Sequence, residues 1–135
     1  MVAGTSGGML VTRPLTWAAS KKKLFVNCDG GLAVELLSGS GTVIMKSSVA
    51  VVNSTRSEIQ WDHPASETGG VNLAPGLPAA TAAAPLRVRF ALQPKARLYS
   101  FWVSANGCGS SGGVVAGGGP GFDSSRDMHG SCAGW

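Results

Sequence analysis

The stretch Leu86-Arg87-Val88-Arg89-Phe90-Ala91-Leu92 restricts what this chain can fold into more than any other. Its apolar residues Leu86, Val88, Phe90 and Leu92 recur at every second position, with Arg87 and Arg89 between them. Successive side chains of a strand point to opposite faces, so this spacing lines one face with hydrocarbon and the other with charge. Gln93-Pro94-Lys95-Ala96 then supplies a turn, and Arg97-Leu98-Tyr99-Ser100-Phe101-Trp102-Val103 returns. The return is apolar on both faces, the pattern expected of a central strand covered on two sides.

The rest of the body follows the same period. Met9 to Thr12 is a brief β-like run, and Pro14 fits a strand end. Leu24 to Cys28 is closed by Asp29-Gly30-Gly31, which reads as a turn. Leu32, Val34 and Leu36 share one face of the next run, and Ser38-Gly39-Ser40-Gly41 turns it into Thr42 to Met45. Ser48 to Val52 is β-branched, and Glu58 to Trp61 places Ile59 and Trp61 on one side. The alanines of 79–84 are bracketed by Pro75, Pro78 and Pro85 and form no amphipathic stripe, so no helix is expected there. Many short strands and frequent turns predict an all-β, antiparallel chain, a β-sandwich or a barrel, and the sandwich is the expectation taken. With 135 residues, one domain is expected. It is expected over residues 1–105, with 62–85 as an inserted Ala/Pro-rich loop. Ten of the 20 glycines fall in 106–135, which is therefore read as a glycine-rich tail partly wrapping the sandwich.

Composition excludes several functions. Charged residues make up 13% of the chain, too few for a charged disordered tail, and no apolar run reaches the length of a membrane span. The net charge of +4 is dispersed, with Lys21-Lys22-Lys23 the one basic run, expected in a solvated turn. Nucleic-acid binders cluster their cations with interleaved aromatics, so no nucleic acid is expected as a partner. Residues Met1 to Leu10 lack the charged and apolar regions of a secretory signal. Cys28, in an apolar stretch, reads as a small core residue, whereas Cys108 and Cys132 are spaced so that pairing is open. Asn53-Ser54-Thr55 fits the N-glycosylation pattern and reads more simply as a polar turn.

Residues with reactive side chains form no recognisable machinery. Asp29 and Asp62 follow strand ends, and a glycosidase-like acid pair needs two carboxyls held roughly 5–10 Å apart. Their simpler roles are a turn cap and a solvated strand end. His63 precedes Pro64, His129 lies in the tail, and neither sits near a nucleophile motif. The histidines and Cys132 have no metal-site spacing, so neither metal nor cofactor is expected. Pro120 removes a backbone donor from Gly117-Gly118-Gly119-Pro120-Gly121, which reads as a special backbone segment anchored by Phe122 rather than a phosphate loop.

Several pieces, taken in order, carry a family likeness. They are Thr12-Arg13-Pro14-Leu15, Leu24-Phe25-Val26-Asn27-Cys28-Asp29, Leu32 to Leu37, Ser54-Thr55-Arg56, Trp61 and Val88-Arg89-Phe90 with Leu92. Leu98-Tyr99-Ser100-Phe101-Trp102-Val103 and Gly118 to Phe122 complete them. Over residues 8–127 the chain resembles the C-terminal β-sandwich region of sialidase-like and β-fructosidase-like glycoside hydrolases. The resemblance implies a concanavalin-like jelly roll that packs on a five-bladed β-propeller. In that family the catalytic acid, nucleophile and third carboxylate belong to the propeller, so no catalytic residue carries over. The expected function is a non-catalytic accessory module, with the propeller of a parent or related hydrolase as partner. The chain is then a severed C-terminal piece, secreted if its parent is. It departs from the family in the long Ala/Pro-rich stretch from His63 to Pro85. The alternative is a free-standing carbohydrate-binding module, with Trp17, Trp61, Tyr99 and Trp102 as candidate sugar platforms.

Overall fold

The computed structural model describes residues 1–62 and 76–109. Six strands form in chain order: β1 (Gly8–Val11), β2 (Lys23–Ser38), β3 (Val43–Lys46), β4 (Ala50–Glu58), β5 (Leu86–Leu92) and β6 (Arg97–Ser104). All six join one antiparallel sheet, and no helix occurs among the described residues. The all-β expectation is met at this level, and β5 has the bounds that its alternation gives it.

The organising element is β2, which runs 16 residues without interruption. The expected turn at Asp29-Gly30-Gly31 is a bend inside this strand. Gly30 takes a φ of +99°, a backbone region that side chains rarely enter, and a Cβ there would lie 2.8 Å from that of Ala96. A strand that bends at a glycine keeps its hydrogen bonds on both sides, so the chain continues rather than reverses. On one edge the neighbour of β2 changes beside this point, whereas on the other β4 pairs straight across it. Along one edge, β6 pairs with Lys23 to Asp29 and β5 with Leu32 to Ser38. Along the other, β4 pairs with Phe25 to Leu32 and β3 with Glu35 to Leu37. The N-terminal residues extend the sheet beyond β5 and β6. Val2 bridges Arg97, β1 pairs with β5, and Leu15 bridges Leu86.

The bend folds the sheet onto itself. Phe101 stands opposite Val26 and Phe90 opposite Val34, positions eight residues apart on β2. A straight strand would separate them by about 26 Å. Their rings meet with centroids 4.9 Å apart. One core results, built from the even-numbered residues Leu24, Val26, Cys28, Leu32, Val34 and Leu36 of β2 with Val88, Phe90, Leu92 and Leu98. Ile59, Leu77 and Ala80 pack into the same cluster.

Bulges then decide which side chains face that core. Register slips by one residue opposite Asn27 on β4 and on β6, and again opposite Leu36/Leu37 on β3. On β6 the extra residue is Tyr99, between Leu98, opposite Cys28, and Ser100, opposite Asn27. Were Tyr99 an ordinary strand residue, Leu98 and Phe101, three positions apart, would point to opposite faces; because the bulge absorbs it, both face the core. Phe101 and Val103 therefore pack inward with Leu98. One expectation for β6 is corrected. The strand buried at the centre of the sheet is β2, because among the described residues β6 has only the Val2 bridge on its far side. The double-faced apolarity of β6 has a different cause: Trp102, on its outer face, stacks on Phe25 with ring centroids 5.7 Å apart. Two smaller differences follow. β4 ends at Glu58, so Trp61 lies beyond a strand, and Lys23 of the basic run begins β2.

Candidate functional site

The outer face of the bend carries the most distinctive grouping of exposed side chains. The bulge on β6 expels Tyr99, which is 59% exposed, an unusual fraction for a large aromatic on a strand. Strand register sets polar residues around it. Asp29 stands between Asn53 of β4 and Arg97 of β6, and Asn27 stands opposite Ser100. The bend fixes one of these groups directly. The Gly30 N–H donates to Asn53 Oδ1 at 3.2 Å, so the amide nitrogen of Asn53 is left as an outward donor. Asn27, Asp29, Asn53, Ser54, Thr55 and Tyr99 line an open groove of about 240 Å³, with Cys28 beneath them. Burial, then the neighbouring Asp29 charge, pushes the Cys28 thiol up from its ordinary value, and the thiol is free.

A second cleft lies at the start of β2. Lys22, Lys23, Glu58, Gln60, Trp61 and Gly76 line about 390 Å³. Lys23 Nζ donates to Glu58 Oε1 at 2.6 Å, so its main cation and anion are spent on each other. Trp61 and Gly76 flank residues 63–75, which lie outside the described residues.

The four aromatic candidates are not gathered into one platform. Trp17 donates its indole N–H to Pro78 O at 2.9 Å and packs on the core, fastening the segment around Ala80. Trp61 also packs against the core. Trp102 has one face on Phe25, and its N–H donates to Gly109 O at 2.7 Å. Tyr99 is the most exposed of them. Asn27, Asn53 and Arg97 were not singled out from sequence as site residues. The sequon drew attention to Asn53, but its partnership with Asp29 depends on a register that bulges interrupt.

The acidic residues have separate partners. Glu35 pairs with Arg89 across β2 and β5. Asp62 Oδ1 accepts from the Ser48 backbone N–H at 3.0 Å and hydroxyl at 2.6 Å, beside Lys46, whose carbonyl accepts from the Asp62 N–H. Asp29 and Asp62 thus hang on opposite halves of the bent sheet. Among the described residues no group of three His, Cys, Asp or Glu converges. His63, His129, Glu67, Asp123, Asp127, Cys132 and the glycine-rich segment with Phe122 lie outside the described residues. Cys108 is disulfide-bonded. No described helix is long and apolar enough to cross a membrane. Compared with family models, curated proteins and solved structures, the chain matches none.

Proposed function

We propose that this chain is a non-catalytic accessory module of the jelly-roll sandwich type, which packs on and stabilises a larger partner such as a catalytic propeller domain. The supporting observation is the run that borders β2 on its β3–β4 side. Val43, Ile44, Val49 and Val51 are 44%, 48%, 57% and 81% exposed. Branched aliphatic residues scattered singly over a surface mean little, but four within nine positions along one sheet edge concentrate exposed hydrocarbon there, which supports a docking role. β3 and β4 have β2 as their one strand partner among the described residues, so their outer backbone groups are available to a neighbour.

Light scattering on the isolated chain tests this. Self-association is expected, relieved by Ile44→Lys with Val49→Lys at an unchanged melting temperature. A wild-type chain that stays monodisperse at high concentration would overturn the docking reading. The alternative, saccharide binding, draws support from a different surface, the groove beside Tyr99.

A further inference from the structure

We infer that the outer face of the β2 bend is a saccharide site in which Tyr99 stacks on the ring and Asn27, Asp29 and Asn53 take its hydroxyls. The inference is independent of the docking reading, since Ile44 and Val49 do not line this groove.

Three features carry it. First, Tyr99 is the inserted residue of a bulge, and bulges re-aim side chains at binding sites. The insertion turns an aromatic ring to solvent while Leu98 and Phe101 on either side stay in the core. Second, the neighbours have the chemistry that hydroxyl pairs require. A carboxylate accepts two hydrogen bonds in a plane, and an amide offers one donor and one acceptor side in a plane. Asp29 and Asn53 face each other across β2 and β4, and Asn27 is two residues from Asp29 on the same outward face. Third, Asn53 is held in place. Its Oδ1 is occupied by the Gly30 N–H, an arrangement available because glycine tolerates φ +99°. A group fixed before binding loses less conformational freedom on binding.

The same features select the ligand class. Asp29 is the one charged residue among the described residues lining the groove, and Arg97 stands opposite it on β6, so the two charges offset each other and favour a neutral hydroxylated ligand over an ionic one. At about 240 Å³ the groove is open and below the ~300–1,000 Å³ of enclosed small-molecule pockets. It suits one or two sugar rings lying across a face. The ligand is therefore a neutral oligosaccharide or the end of a neutral polysaccharide.

The test is an amide-resolved NMR titration of the full chain. The probes are soluble neutral oligosaccharides of glucose, galactose, mannose, xylose and fructose, each at about 10 mM, which reaches millimolar affinities. At least one is expected to shift the Gly30 amide, the Asn53 side-chain amide and the Tyr99 backbone signal together. Tyr99→Phe should retain affinity within about twofold, and Tyr99→Ala should lose about tenfold through loss of the stacking surface. Asn53→Ala should also weaken binding. Tyr99 is exposed, so both of its variants should fold with unchanged melting temperature. Silence across the panel, shifts confined to the Trp61 cleft, or full affinity in Tyr99→Ala would each overturn the site. Failure here leaves the aggregation test of the docking edge untouched, and the reverse also holds.

Discussion

At the scale of single residues, adjacent glycines have unequal roles. A methyl group on Gly30 would meet the Ala96 backbone at 2.9 Å and force a φ of +99° on an alanine. Gly31 faces Gln93, whose exposed side chain can swing its Cγ away but whose Cβ, 2.9 Å from an added methyl, moves only with the backbone. Gly30→Ala should therefore cost about 2–4 kcal/mol, and Gly31→Ala, with no strained φ, about 1–2 kcal/mol, read from urea denaturation midpoints. Cys28 has a pH signature. Its thiol is buried neutral and titrates above its ordinary value in the folded chain. The unfolded chain then releases this proton first, so the contribution is intact below the unfolded thiol pKa and is lost as pH rises through the folded one. Melting temperature should fall more steeply above about pH 9 in the wild type than in Cys28→Ala. The burial was implied by a cysteine in an apolar stretch beside Leu24, Phe25 and Val26. The special backbone of Gly30 was visible only as a glycine pair, which reads equally as a turn.

At the scale of elements, alternation made β5 legible because a strand with one wet and one dry face writes its period into the sequence. It concealed β2, because the two glycines carry no side chain to continue the pattern. It misled at β6, where Tyr99 shifts the period by one residue and moves Phe101 and Val103 to the other face. Cross-strand pairs on the outer faces contribute modestly. Glu35 and Arg89 are directly opposed on β2 and β5, with side chains 31% and 29% exposed. Partial exposure screens the pair and argues for a small coupling. A double-mutant cycle with Glu35→Gln and Arg89→Gln should give under about 1 kcal/mol. A much larger coupling would mean that this pair helps to set the register.

At the scale of the molecule, stability depends on closing distant segments against one another. Residues 1–11 lie along the β5–β6 hairpin, with the Ala3 N–H donating to Ala96 O at 2.9 Å and β1 paired to β5. Removing them strips Ala3 and Leu10 from the core region and uncovers a long edge. A domain of this kind has a total stability of about 5–15 kcal/mol, so the truncated chain should show a broadened or absent thermal transition by circular dichroism. A melting curve like that of the full chain would show the N-terminal segment to be dispensable. The local period of apolar and polar residues, with the turn residues between the runs, was enough to define an all-β chain, the extent of β5, the turns at 38–41 and 93–96, and a buried Cys28. Each of these depends on neighbours within a few positions. The bend of β2, the bulges, the joining of its two halves in one core and the meeting of Tyr99 with Asn27, Asp29 and Asn53 were settled only by the tertiary structure. Those features depend on which strand pairs with which and in what register. Register is chosen by burying both halves of β2 at once, a constraint acting between residues 18 to 81 positions apart.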